Sequence, residues 1–228
     1  MCSTSNIATK PWGDRGKAKV LVIGHDPRLQ KPNTIASYCF FADYYFGDRP
    51  AQKNELAKYQ LAESLFACIR DLTGGRIADD ELLITNLCNE ALDRAPKGKI
   101  VYISQEKAEK GLADIRALLK GSHIKIVFPM AQQVNYWLQK LGFYSADAQF
   151  LEKAEPKEIG KNNEPPYYQP EQTGAFKLIC GKMYQSTDNE YRVFPILHIK
   201  NYPLKGKFLA TYGPNYALCK RLVGEALA

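Results

Sequence analysis

The stretch "KVLVIGHDPR", residues 19–28, decides how this chain is read. From Val20 to Gly24 it is apolar or small without alternation, the pattern of a strand buried on both faces. Then His25, Asp26, Pro27 and Arg28 arrive together. A strand that stops being core and at once presents an imidazole, a carboxylate and a guanidinium reads as a strand end at a ligand site. Asp before Pro also has a plain structural reading, because an Asp side chain caps local backbone N–H groups in turns.

Three further continuous apolar runs read as strands: "ELLITNL" (81–87), "IKIVFPM" (124–130) and "RVFPILHI" (192–199). Helical patterns separate them. Residues 54–72 place Leu56, Tyr59, Leu61, Leu65, Cys68 and Leu72 near one side. Residues 104–121 open on Ser104 with Glu106 in the first turn and stop at Gly121, which is sound cap chemistry. Residues 131–143 and 213–228 give two more, and the aromatic stretch 34–46, "TIASYCFFADYYF", is expected to be helical too. Strands alternating with helices predict an α/β fold with a parallel sheet covered on both faces. Residues 145–191 depart from the pattern: they are polar, carry Pro156, Pro165, Pro166 and Pro170, and read as an insertion or long loop before the last strand. Within them, 175–185 could form a hairpin against 190–197. The chain is expected to be one domain over residues 1–228, with 1–17 as an N-terminal extension.

Composition bounds the function. The 228 residues are 45% hydrophobic, enough for a full core without staples, and the net charge of +7 suits a polyanionic partner as well as ordinary solvation. Six cysteines stand at 2, 39, 68, 88, 180 and 219 with no CxxC pair, so no local zinc or iron–sulfur signature exists. The N-terminal sequence has no secretory h-region and no apolar run reaches the roughly 18 residues of a membrane span, so a cytoplasmic protein with reduced thiols and no membrane partner is expected.

In open α/β sheets, ligands bind outside the carboxyl ends of the strands. Here those ends carry His25 and Asp26, then Asn86 with Asn89 and Arg94 beyond it, then "PMAQQ", then His198 with Lys200 and Asn201. Histidines, a carboxylate and a side-chain amide are thereby predicted to gather at one rim. His123, at a helix-to-strand junction, has no assigned role.

At this point the motifs resemble the uracil-DNA glycosylase superfamily. "IGHDP" at the first strand end resembles that superfamily's first motif, GQDPYH in one branch, whose Asp is catalytic. "LLITNLCNEALDRAP" resembles a second segment, of the form YITNVVKCRPPGNRDP in the iron–sulfur branch, whose Asn reads uracil. "VFPILHI" resembles the strand that delivers an HPSP motif, and "IVFPMAQQVNYWL" the segment between. The order covers residues 18–223. The resemblance implies a three-layer α/β/α sandwich around a four-stranded parallel sheet, and a metal-independent DNA glycosylase of uracil or a related deaminated base that needs no cofactor. It implies Asp26 and His198 as catalytic, with a neutral, donating imidazole at His198. Gly24, His25, Phe40 and Asn86 would form the base pocket, Phe40 stacking on the flipped base with Phe41 as a second choice. Arg28, Lys200 and Asn201 would contact DNA, and Lys31, Lys205 and Lys207 lie close enough to the motifs to touch phosphate. A monomer is expected.

The sequence also departs from the pattern. His25 replaces the Gln of GQDPYH, and Arg28 the Tyr that excludes thymine. "HIKNYP" (198–203) stands for HPSP, with Leu204 a loose match to the family's wedge, and the four cluster cysteines are absent. Two other readings therefore stand beside the first. One is an inactive relative that binds nucleic acid or a nucleotide. The other is a metal-dependent hydrolase with His25, Asp26 and His198 as ligands, since imidazole and carboxylate suit divalent ions.

Overall fold

The continuous apolar runs become the centre of the sheet. In the computed structural model, which describes residues 8–25, 37–48, 50, 52–90, 92, 99–145, 147–159, 166–168 and 174–228, strand β1 (Val20–Gly24) is buried along its whole length. After it come α1 (Ala42–Tyr45), α2 (Lys53–Leu72), β2 (Leu82–Asn86), β3 (Ile100–Val101), α3 (Gln105–Leu119) and β4 (Ile126–Pro129). Then follow α4 (Gln132–Lys140), α5 (Ala148–Ala154), β5 (Glu158–Ile159), β6 (Tyr167–Tyr168), β7 (Tyr184–Gln185), β8 (Arg192–Val193) and α6 (Gly206–Ala226).

The main sheet has the order β2-β1-β4-β8-β7. β1 pairs in parallel with both β2 and β4, and β4 in parallel with β8; β7 is antiparallel to β8. The sheet therefore has five strands, not four, and the fifth is the hairpin expected from residues 175–197. β1, β2 and β4 are buried on both faces, as their unbroken apolar sequences required. Among the helices, α2 packs on α6, while α3 packs on α4 and α4 on α5. From β1 the chain moves to β2 on one side and then crosses to β4 on the other, so the switch in strand order falls at β1, where α/β sheets hold ligands.

Prolines shorten the last strand. Pro129 of β4 has no N–H to give across from Phe194, and Pro195 has none to give on the other side, so the regular ladder of β8 ends at Val193. The backbone nevertheless keeps alongside β4: Phe194 N–H reaches Val127 O at 2.9 Å, Ile196 N–H reaches Pro129 O at 3.0 Å, and Ala131 N–H returns to Ile196 O at 3.0 Å. His198 follows two residues later, at the same rim as Gly24 and Asn86.

Of three expectations, the single helix over 34–46 is overturned and the other two gain detail. Part of the N-terminal extension is sheet edge: Trp12 exchanges backbone bonds with Ile84 at 2.9 and 2.8 Å, and Thr9 N–H bonds Asn89 O at 2.9 Å, so residues 8–12 run antiparallel along β2. The described part of 34–46 is no single helix, since Phe40 and Phe41 both have φ of 55° and split it into a 3-10 turn at Cys39–Phe41 and the short α1. Residues 145–191 hold α5, β7 and a second small sheet in which β6 pairs with β3 and β5.

One glycine sets how close a helix comes to this rim. A Cβ on Gly111 of α3 would lie 1.6 Å from the carbonyl oxygen of Leu87, directly after β2. Gly111→Ala is expected to push α3 off the sheet end and cost about 1–3 kcal/mol, the range of overpacked cores. Urea unfolding of the variant beside the parent measures it, and a loss under about 0.5 kcal/mol, the level of an ordinary surface change, would contradict this packing.

Candidate functional site

The rim is built on a glycine. Gly24 pairs with Asn86 across β1 and β2. A Cβ at residue 24 would lie 2.4 Å from Asn86 Oδ1 and 2.2 Å from Cε2 of Phe40, so the amide and the aromatic ring both sit over the bare Cα. The Phe40 ring in turn lies 6.1 Å, centre to centre, from His198. Gly24, Phe40, Asn86 and His198 are thus brought together from four separate parts of the chain. Phe41 is not part of this group: its ring turns to Tyr44, edge to face at 6.0 Å, and lies under Lys58 Nζ at 5.7 Å.

Asn86 is 2% exposed, and among the described residues its Nδ2 has no hydrogen-bond partner. A buried amide donor left unsatisfied costs roughly 1–3 kcal/mol, so such groups are rare unless something else binds them. Its backbone is fixed all the same. Asn89 Oδ1 accepts from Asn86 N–H at 3.3 Å, from Cys39 Sγ at 3.3 Å and from Thr9 Oγ1 at 3.4 Å, and Asn89 Nδ2 donates to Thr85 Oγ1 at 3.2 Å. One side chain therefore ties the N-terminal edge, the end of β2 and the turn that carries Phe40. The sequence shows Asn89 only as another polar residue after a strand; nothing in it signals this knot. Burial pushes the Cys39 thiol up to about 11, so it stays protonated and serves as a donor here.

The turn bearing Phe40 is strained and braced. Left-handed φ at two successive non-glycine residues costs on the order of 1–3 kcal/mol each and persists only where the surroundings impose it. The bracing comes from an aromatic cluster: Tyr45 stacks on Phe66 at 4.2 Å, Trp12 stacks on Phe46 at 5.0 Å, and Arg70 donates to Tyr45 Oη at 2.7 Å. Much of "SYCFFADYYF" is thus anchorage. Ala131, at the end of β4, is strained as well, with φ 72° and ψ 162°. Asn135 Nδ2 holds it, donating to Ala131 O at 2.7 Å and to Pro129 O at 3.1 Å.

The two rim histidines are fixed by different neighbours. His198 begins the 3-10 turn Ile199–Asn201, and its Nδ1 accepts from Lys200 N–H at 3.2 Å. The hydrogen of the neutral ring then sits on Nε2. Asn201 N–H donates to His198 O at 2.9 Å. Lys200 and Asn201, expected at the DNA, thus also hold His198 through their backbones; the Lys200 side chain is exposed and that of Asn201 half-buried.

His25 is 7% exposed, and its Nε2 lies 2.7 Å from Nε2 of Gln133. Ile103 N–H donates to Gln133 Oε1 at 2.7 Å, and Gln133 Nε2 donates to Val101 O at 3.1 Å. Turning this amide over would set donor against donor and acceptor against acceptor, so Gln133 Nε2–H faces His25. The imidazole Nε2 accepts, and the hydrogen of the neutral ring is on Nδ1. Gln133 is legible in the sequence only as part of "PMAQQ" after a strand.

Asp26, Arg28, Lys31 and Arg94 lie outside the described residues. Among the described residues no group of three or more His, Cys, Asp or Glu side chains could hold a metal ion, and no helix is long and apolar enough to cross a membrane. No protein-family model matches the chain, and no curated protein matches it in sequence.

The orphaned donor makes a prediction. Asn86→Leu, close in shape, removes the unsatisfied amide and is expected to raise stability by about 1 kcal/mol while abolishing ligand recognition. Denaturant unfolding checks it. A loss of 1 kcal/mol or more would mean that the amide is satisfied within the fold, and that no ligand partner need be sought for it.

Proposed function

We propose that this protein is a DNA glycosylase that hydrolyses the N-glycosidic bond of uracil or a related deaminated base. The observation that carries the reading is the buried, unpartnered Asn86 Nδ2, set over Gly24 beside the Phe40 ring and within one ring's reach of His198. A planar base fits that set. It could stack on Phe40, take the Asn86 Nδ2–H at a carbonyl and give its own ring N–H to Asn86 Oδ1. Cytosine presents the opposite pattern and would leave the buried amide mismatched, which discriminates strongly. The mostly parallel sheet supports the superfamily resemblance, as does its switch point at β1. On this reading the helical groups α2–α6 and α3–α4–α5 are the outer layers of an α/β/α sandwich.

The chemistry assigns each group a step. As the bond from C1′ to the base nitrogen breaks, its electron pair leaves with the base, and positive charge grows on the sugar. His198 Nε2–H stabilises the departing base by donating to its oxygen, as a fixed dipole aimed where negative charge develops. Asp26, next after His25 in the chain, stabilises the sugar cation. It also accepts a proton from the water whose oxygen bonds to C1′, the role of a general base. The target base must leave the duplex first, and a chain of net charge +7 with exposed Lys200, Lys205 and Lys207 provides phosphate contacts for a DNA partner. No step requires a cofactor or metal.

The test is an alkali-cleavage gel assay on labelled oligonucleotides bearing uracil, hypoxanthine or xanthine, run in chelator. The parent protein is expected to cut at least one strand, Asp26→Asn to abolish cutting, and His198→Ala to slow it about 10²–10³-fold, the usual loss of one preorganised donor. Cutting that survives Asp26→Asn would remove the mechanism. Uncut strands with salt-sensitive DNA binding would leave an inactive binder. Activity lost in chelator and restored by a divalent ion would revive metal hydrolysis through His25, Asp26 and His198.

A further inference from the structure

Residues 9–12 lie between two parts of the rim's frame. On one side they meet β2 and the residues after it: Thr9 N–H bonds Asn89 O at 2.9 Å, and Trp12 exchanges bonds with Ile84 at 2.9 and 2.8 Å. On the other side they meet the segment that leads into Phe40. Lys10 N–H bonds Ser37 O at 3.0 Å, Cys39 N–H bonds Lys10 O at 3.1 Å, and Lys10 pairs in parallel with Tyr38. Among the described residues, these are the backbone bonds that join residues 37–39 to another segment. Side chains meet at the same junction. Thr9 is 3% exposed, and its hydroxyl lies 3.4 Å from both Asn89 O and Asn89 Oδ1 and 3.7 Å from Cys39 Sγ. The Lys10 side chain is exposed, so its hold on the turn is a backbone one. Phe40 follows Cys39 directly, with a φ of 55° that its surroundings must impose.

We propose that, with the rim read as a base site, Thr9 and Lys10 are positioning residues that hold the Phe40 ring over Gly24, where a flipped base would stack. They act through Cys39 on the residue after it. A ring fixed in advance needs no ordering when the base arrives, so the N-terminal strand raises affinity by pre-organising the stacking face.

Gly24 reports the ring's place. A Cβ there would lie 2.2 Å from Cε2 of Phe40, so an α-hydrogen of Gly24 points at the ring and its proton NMR shift carries the ring current. Phe40→Leu sets the baseline without that ring. Lys10→Pro removes the N–H given to Ser37, whereas Lys10→Ala keeps it and loses only the side chain. Thr9→Val removes the hydroxyl at nearly constant shape. Amide signals of β1, β2 and β4 show whether each variant is folded. The parent and Lys10→Ala are expected to show Gly24 shifts displaced from those of Phe40→Leu. Lys10→Pro is expected to lose most of that displacement, and Thr9→Val a smaller part. Measured against Lys10→Ala, which shares the lost charge, kcat/KM of Lys10→Pro on the preferred base should fall about tenfold, mainly through KM, the scale of one base–aromatic stack.

A parent whose Gly24 shifts match those of Phe40→Leu overturns the proposal. So do folded Lys10→Pro and Thr9→Val proteins that keep the parent's displacement, and so does Lys10→Ala if it loses as much as Lys10→Pro. Lost displacement with unchanged kcat/KM overturns it as well. If Lys10→Pro fails to fold, Thr9→Val decides alone. A parent that cuts no base, but whose Gly24 shifts follow Thr9 and Lys10, contradicts the glycosylase reading and upholds the hold on Phe40.

Discussion

The rim depends on one absence, the missing side chain at Gly24. β1 lies between β2 and β4, and its last residue is approached from the end of β2 and from the turn above. Any Cβ there would occupy the place of the Phe40 ring and the Asn86 amide, at 2.2 and 2.4 Å. With hydrogen in that place, a ring from the turn after β1 and an amide from the end of β2 converge on the same point. The contact also explains why the surroundings are so heavily braced. Two left-handed phenylalanines and an unsatisfied buried amide together cost several kcal/mol by ordinary magnitudes. The stacked aromatics around Phe66 and the bonds gathered on Asn89 hold these features in place against that cost.

Much of this arrangement could be read from the residues alone, and the part that could not has a physical reason. Continuous apolar runs announced β1, β2 and β4 because those strands are buried on both faces, and runs that short suit a strand better than a buried helix. The polar clusters at the strand ends announced the rim. The break at Phe40 and Phe41 stayed hidden, because aromatic residues carry no local signal for left-handed backbone; tertiary packing imposes it. The edge pairing of residues 8–12 was hidden for a related reason, since an edge segment needs few apolar residues once a neighbour supplies its hydrogen bonds. Asn89 and Gln133 were visible only as amides after strands. What each does is set by which backbone groups it meets, and those come from distant parts of the chain: Thr9 and Cys39 for the first, Val101, Ile103 and His25 for the second.

The two rim histidines show how backbone order becomes side-chain chemistry. Each neutral imidazole can place its hydrogen on either nitrogen, and in water the choice is nearly open. Here Lys200 N–H closes it one way for His198, and the Gln133 amide closes it the other way for His25. The two rings therefore carry opposite tautomers at one sheet edge. Both are fixed by amide groups that cannot turn without breaking other bonds.

On the proposed reading, a rim made this way, of oriented dipoles with an orphaned amide among them, would discriminate by its pattern of donors and acceptors. Dipoles that are already oriented need no rearrangement when a ligand's charge shifts. The lysines near the motifs, Lys200, Lys205 and Lys207, are exposed and stand outside that set. On the proposed reading, attraction to a polyanion and recognition of a base would then reside in different residues. Salt would weaken the first through screening and counterion release, while the buried amide and the two oriented rings would keep their preference for one arrangement of donors and acceptors.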